Sequence, residues 1–148
     1  MSGALAQADA LGVFGRYGLF AACHWGINHT EKPVYAAFEA FTNFDRKGSR
    51  FGDHELAVQG EDPASNSVYA ALDSHNRRRM TIVAINKTAE PMPLNLTLRG
   101  FSARSARAFA VVAGSYDNPA STEARVEDGR VSLTAPPLSI VTAEAIAR

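Results

Sequence analysis

Short β-type runs separated by turn residues fill the sequence from about residue 50 to its end. Their spacing predicts eight strands, near 55–60, 67–73, 79–86, 93–99, 106–113, 124–127, 130–134 and 139–146. Asp128-Gly129 between two of these runs is a hairpin signal, and Leu94, Leu96 and Leu98 alternate with polar residues, as in a strand with one buried face. Such a series predicts a mainly β fold, an antiparallel β-sandwich.

The first 45 residues follow a different pattern. Apolar residues at helical spacing predict one helix that ends near Phe14, with Ser2 as its N-cap, and a second helix that begins at Pro33. Between them, residues 19–25 form an apolar run without alternation, which predicts a strand buried on both faces. We therefore predict a helix-strand-helix segment over 1–45 and a β-sandwich domain over 46–148. The segment is too short to bury its own strand, so it must dock on the sandwich, on another copy or on a missing barrel.

Composition excludes several classes of protein. The chain has 148 residues and fifteen Lys+Arg balanced by fifteen Asp+Glu, which argues against a nucleic-acid partner and a polybasic membrane anchor. No run of about eighteen apolar residues predicts a membrane span, and the N-terminus lacks the basic region of a signal peptide. A single cysteine, Cys23, excludes an internal disulfide framework and a Cys-rich zinc site.

Two long strings carry a resemblance to a known family. Residues 6–22, Ala-Gln-Ala-Asp-Ala-Leu-Gly-Val-Phe-Gly-Arg-Tyr-Gly-Leu-Phe-Ala-Ala, are followed by Trp25, and the second string spans parts of 35–53. Together with shorter segments at 68–71, 82–87 and 98–101, they resemble glycoside hydrolase family 44. The resemblance covers essentially the whole chain. Members of that family are bacterial, generally secreted, endo-acting β-glucanases and xyloglucanases of the retaining type, with a (β/α)8 barrel and a β-sandwich.

The resemblance assigns a place to each segment. Residues 4–17 are similar to the helix after barrel strand seven, 19–25 to strand eight, 33–44 to its following helix, and the rest to the sandwich. Both catalytic glutamates of the family lie on earlier barrel strands, so no residue here inherits a catalytic role. In the family, N-terminal residues also contribute to the sandwich. The resemblance thus implies a C-terminal part, extracellular by analogy and inactive alone, from an enzyme of cellulose degradation and carbohydrate metabolism.

Trp25 is the residue that most suggests a site. It ends the predicted strand, and strand ends of barrels hold active sites, so its indole is a candidate substrate-binding residue that stacks on a sugar. The alternative is an ordinary core tryptophan.

A retaining glycosidase needs two carboxyl groups about 5–5.5 Å apart, and we predict no catalytic pair here. The carboxylates near the candidate loop are Glu31, Glu39, Asp45, Asp53 and Glu55. Glu31 is typical of a charge at a helix terminus, and Glu39 of a solvated helix face.

Other polar residues are interpreted as structural. Cys23 and His24 are adjacent on the predicted strand and point to opposite faces, so they cannot share a metal ion with His29. We therefore predict no metal site and no cofactor. We predict that the Cys23 thiol is buried and structural. His54 and His75 have no partner motif. Arg77-Arg78-Arg79 suits a solvated hairpin turn better than a grip on a phosphate or an acidic glycan. Three triplets, beginning at Asn28, Asn86 and Asn95, match the N-glycosylation pattern, which often arises by chance.

Two functions follow. The first is a non-catalytic sandwich that supports the barrel of a β-glucan-degrading glycoside hydrolase, with β-glucan contact and the missing barrel as partners. The alternative is a free-standing carbohydrate- or protein-binding module, for which the sandwich offers Tyr69, Phe101, Phe109 and Tyr116. The apolar faces of 4–14 and 34–44 also predict self-association.

Overall fold

The computed structural model describes residues 1–26 and 30–148. Two helices, α1 (Ser2–Arg16) and α2 (Lys32–Thr42), precede nine strands. The strands are β1 (His54–Leu56), β2 (Asn66–Leu72), β3 (Arg79–Asn86), β4 (Met92–Thr97), β5 (Ala103–Val111), β6 (Ala120–Thr122), β7 (Ala124–Glu127), β8 (Arg130–Ala135) and β9 (Ser139–Ala147). The prediction of a mainly β, antiparallel sandwich is confirmed. Of these strands, β6 is the one that the sequence pattern did not predict.

Two antiparallel sheets form the sandwich. One has six strands in the order β1-β2-β3-β9-β5-β6, and the other has three in the order β4-β8-β7. Side chains from facing surfaces of the two sheets share one core, which includes Val68, Ile82, Val131 and Val141. The helices cover the opposite face of the larger sheet, where Tyr69, Val83, Ile85 and Ile140 pack on alanines of both helices. The central strands are therefore buried on both faces.

The helix-strand-helix prediction for residues 1–45 is wrong in its middle element. Residues 19–24 have no regular secondary structure, and 25–26 form a turn. A strand buried on both faces needs hydrogen-bonded neighbours, and no described strand pairs with 19–25. The two predicted helices form, but Ser2 lies inside α1, where Met1 holds the N-cap position. The division into 1–45 and 46–148 stays a prediction.

Small residues set how closely α1 approaches the sheet. Ala4, Ala8 and Gly12 face the sheet and are buried. A Cβ built on Gly12 would lie 2.3 Å from ring carbons of Tyr69, so only glycine fits there. The other side of the helix turns Val13 and Phe14 toward solvent. Neither helix in the described residues has the length and hydropathy of a membrane span.

Candidate functional site

The exposed aromatic side chains of the chain are concentrated at the end of α1 and in the segment after it. The exposed fractions are 82% for Tyr17, 102% for Phe20 and 98% for Trp25. Val13, Phe14 and Leu19 extend this surface. We call these six residues the aromatic surface. Exposed apolar side chains concentrated on one part of a folded domain mark an interaction site.

Among the described residues, the segment that carries this surface contacts both helices. The backbone N–H of Leu19 donates to the carbonyl of Phe14 at 2.9 Å, and the ring of His24 meets that of Phe38 edge-on at 6.0 Å. Trp25 therefore projects into solvent, and its interpretation as an ordinary core tryptophan is wrong. Cys23 is also exposed, contrary to the buried thiol predicted, because the segment forms no buried strand.

Hydrogen bonds and ion pairs hold the C-terminal half of α1 on the sheet. The Tyr69 hydroxyl donates to the Asp9 carboxylate at 2.5 Å, and Lys87 Nζ donates to the other Asp9 oxygen at 2.8 Å. Burial by itself would raise the pKa of Asp9, but the bonds from Lys87 and Tyr69 outweigh it and lower that pKa. Arg16 pairs with Glu61 at 2.8 Å and lies 4.8 Å above the Tyr69 ring. The base of the aromatic surface is thus rigidly anchored.

A cluster of carboxylates and arginines, the kind of group that could be mistaken for a catalytic site, lies under the loop after α2. Glu144 accepts hydrogen bonds from Arg79 Nε and Arg107 Nε, both at 2.5 Å. Arg107 Nη1 also binds Asp45 Oδ2 at 3.1 Å. Both carboxylates are almost completely buried, so this cluster has no access for a sugar.

Asp45 has the hydrogen bonds and charge partner of a structural carboxylate. Burial would raise the pKa of Asp45, but the Ser49 hydroxyl, the backbone amides of Lys47 and Ser49, and the Arg107 charge lower it to about 2. A general acid needs a pKa near the working pH. Asp45 instead serves as the acceptor around which the loop after α2 folds.

The remaining candidate residues are dispersed. Glu39, expected on a solvated helix face, is largely buried and pairs with Arg46, because the loop after α2 returns over that face. Glu31 occupies the N-cap position of α2 without a side-chain capping bond. Asp53 precedes β1 and binds Ser74 at 2.6 Å, whereas Glu55 lies on the strand.

The structure also shows where the arginine run and the glycosylation triplets lie. Arg77 and Arg78 are exposed in the turn before β3, as predicted, whereas Arg79 is bound to Glu144. Asn86 is buried and donates to the carbonyls of Glu90 and Pro136, each at 2.8 Å. Asn28 and His29 lie outside the described residues.

The described residues contain no group of three or more His, Cys, Asp or Glu side chains placed to hold a metal ion. His54 and His75 lie in β1 and in the turn before β3. The aromatic residues offered for a binding face on the sandwich are not exposed: Tyr69 and Phe101 are buried, and Phe109 and Tyr116 are half-buried. The alternative of a carbohydrate-binding module therefore lacks an aromatic platform among these four residues.

Comparisons with known proteins place this fold among glycoside hydrolases. No family model matches the chain. The chain is 32% identical over 99 residues to endoglucanase A of Paenibacillus lautus, a match that spans 67% of this chain and 14% of that protein.

Solved structures of family 44 enzymes superpose on nearly the whole chain. A family 44 endoglucanase from Clostridium acetobutylium superposes with a TM-score of 0.89 at 26% identity, covering 97% of this chain and 29% of that one. CelM2, a bifunctional glucanase-xylanase protein from a metagenome library, gives a TM-score of 0.89 at 30% identity, covering 98% and 28%. The chain thus has the sequence and fold of the C-terminal part of a family 44 glycoside hydrolase. It spans less than a third of each of these relatives.

Proposed function

We propose that this chain is a non-catalytic, C-terminal β-sandwich unit that supports the catalytic barrel of a β-glucan-degrading glycoside hydrolase of the endoglucanase or xyloglucanase type. The aromatic surface is the observation that carries the proposal. Tyr17, Phe20 and Trp25 expose nearly their whole side chains beside a rigidly held helix. Exposure of such a surface to water is unfavourable, and the free energy falls when another protein domain covers it.

The conformation of the segment after α1 supports the proposal that a barrel covers the aromatic surface. An apolar run such as 19–25 suits a strand of a parallel barrel, which is hydrogen-bonded on both edges. Without neighbouring strands its backbone N–H and C=O groups bond to water, and the strand does not form. The irregular course of 19–24 is what this assignment predicts for the chain alone.

The sandwich core offers a second place for residues outside this chain. A groove of about 630 Å³ opens between the two sheets, where the three-stranded sheet leaves part of the six-stranded sheet uncovered. Its walls include Leu56, Val68, Ile82 and Leu96. An apolar groove of this size between facing sheets is suited to a further strand, in keeping with the family, in which N-terminal residues also contribute to the sandwich.

Catalysis belongs to the barrel in this proposal. The buried carboxylates Asp45 and Glu144 are neutralised by arginines, and among residues 1–26 and 30–148 we assign no accessible carboxylate pair to retaining hydrolysis. Trp25 then lies at the end of the last barrel strand, where its indole contacts β-glucan once the barrel forms. An extracellular location and a bacterial source follow from the same assignment.

The test is complementation. The purified chain alone should release no reducing ends from β-glucan or xyloglucan. Co-expressed with a family 44 relative that lacks the matching C-terminal part, it should restore hydrolysis. The variant Phe20→Ser/Trp25→Ser should lose this rescue without loss of folding, since both side chains are exposed.

Leu138→Ser is the matched control, because Leu138 is an exposed apolar side chain on the sandwich, outside the aromatic surface. It should rescue like the parent chain. Hydrolysis by the chain alone, abolished by a carboxylate substitution within it, would overturn the non-catalytic assignment. Dimerisation through the aromatic surface that competes with rescue would show that a second copy also fits there.

A further inference from the structure

One end of the sandwich carries six exposed arginines. They come from the turn before β3, the connection between β4 and β5, and the ends of three strands: Arg77, Arg78, Arg99, Arg104, Arg130 and Arg148. In the described part of the chain, none of the six forms an ion pair, although Arg16, Arg46, Arg79, Arg107 and Arg125 all do. We call these six residues the arginine end.

Backbone contacts bring three of the contributing strands together. The N–H of Ala147 donates to the carbonyl of Arg78 at 2.8 Å, and the N–H of Arg148 donates to the carbonyl of Ser102 at 3.2 Å. Arg104 lies at the irregularity of β5 opposite the end of β9. Since neighbouring strands are about 4.8 Å apart, the backbones of Arg78 and Arg104, on either side of β9, are about 10 Å apart.

The smaller sheet adds Arg99 and Arg130 at the same end. Arg130 pairs with Thr97 at the end of β4, and Arg99 lines the groove beside Met80, at the start of β3. Asn86, at the other end of β3, binds the carbonyls of Glu90 and Pro136 instead. Both sheets therefore carry these arginines at the end of the sandwich opposite Asn86.

Charge is separated along the sandwich although the whole chain has formal net charge zero. Asp53, Glu55, Glu127 and Asp128 also lie toward this end, but they are fewer than the arginines, and Asp73 there is committed to Arg79. By contrast, Lys32 is paired with Asp117 and Lys87 with Asp9. The arginine end thus carries an excess of positive charge.

We propose that the arginine end binds a carboxylate-bearing polysaccharide, such as a uronic-acid polymer, and thereby holds the enzyme on acidic plant cell-wall material. The inference rests on the proposed function, which supplies polysaccharide as the partner. Arginine favours it chemically, because the planar guanidinium fork matches a carboxylate with two parallel hydrogen bonds.

Affinity electrophoresis and calorimetry of the 148-residue chain test the inference. Polygalacturonate is the probe, neutral xyloglucan the uncharged comparison and polyphosphate the non-carboxylate polyanion. We expect polygalacturonate to bind at low salt, with affinity falling as salt rises. Arg77→Gln/Arg104→Gln should weaken binding about tenfold, because each substitution removes a charge-assisted contact.

Lys32→Gln/Arg125→Gln is the matched control. It removes the same number of positive charges, but from side chains that already have a carboxylate partner, so binding should stay within about twofold of the parent. Both variants should keep the parent melting temperature, since the four side chains are exposed.

Three results would overturn the inference: no binding of polygalacturonate at low salt, equal loss in both variants, or equal binding of polyphosphate. None of these three results would contradict the proposal that the chain supports a barrel, since Arg77→Gln/Arg104→Gln leaves the aromatic surface intact. Loss of barrel rescue with retained polygalacturonate binding would instead contradict the proposed function alone.

Discussion

Glu144 and Arg107 form the central ion pair beneath the loop that follows α2. Glu144 Oε2 lies 2.5 Å from Arg107 Nε, and the same guanidinium reaches Asp45 on that loop. The pair therefore ties β9 and β5 to the chain that leaves the helices. It connects the helical layer to the sandwich through charge as well as through packing.

Replacement of Glu144 should be strongly destabilising. Glu144→Gln would leave Arg79 and Arg107 without their shared carboxylate, although Arg79 keeps Asp73 and Arg107 keeps Asp45. Loss of a hydrogen bond to a charged group costs about 1.5–3 kcal/mol. Urea unfolding followed by circular dichroism measures the loss. Glu127→Gln, at an exposed position, should change the free energy of unfolding by less than about 0.5 kcal/mol. Equal effects of the two substitutions would contradict this role for Glu144.

Stability should fall at acid pH through Asp45. Its pKa is about 2 in the folded chain and about 3.9 when unfolded. A carboxyl group with a depressed folded pKa stabilises above its unfolded pKa, and the contribution is lost as pH falls from about 5 to about 2. The difference between the two pKa values corresponds to roughly 2–3 kcal/mol.

Asp45→Asn should flatten this part of the stability profile. Thermal unfolding of both proteins between pH 5 and pH 2 measures the difference. The remaining slope belongs to other carboxyls with lowered pKa values, among them Asp9. Parallel profiles for the two proteins would mean that Asp45 does not contribute as described.

Two glycines of α1 should respond oppositely to alanine. Gly15→Ala places its Cβ in open space and should stabilise by about 0.5–1 kcal/mol, the usual gain within a helix. Gly12→Ala should destabilise, because its Cβ would lie 2.3 Å from the ring of Tyr69, which is held by Asp9. Melting temperatures of the two variants check this, and a gain for both would show that α1 does not pack as described.

Trp25 gives a direct optical test of the aromatic surface. With 98% of its side chain exposed, its fluorescence should be red-shifted and as accessible to acrylamide as in the unfolded chain. Xyloglucan oligosaccharides should not shift the emission of the chain alone, whereas the rescued complex should emit at shorter wavelength. A saturable shift in the isolated, folded chain would favour the alternative of a free-standing binding module.

Local patterns were sufficient to predict most of the secondary structure. The predicted limits 79–86 and 124–127 coincide with β3 and β7. Turn residues bound both segments, and β3 is a continuous apolar run whereas polar and apolar residues alternate in β7, so neither prediction needs distant partners. The strand β6 was missed because a three-residue edge strand carries too little pattern. The prediction for 19–25 failed because that pattern requires neighbouring strands, which no described strand supplies.

The sequence by itself determined the antiparallel β-sandwich, the two helices and the resemblance to family 44, since these depend on residue periodicity and on strings of residues. Tertiary structure alone decided that the helices cover the larger sheet, that Glu144 and Arg107 meet, and that six arginines gather at one end. Residues 77, 104 and 148 become neighbours only when β3, β9 and β5 pair. Such placement depends on contacts between distant residues, which no local pattern encodes.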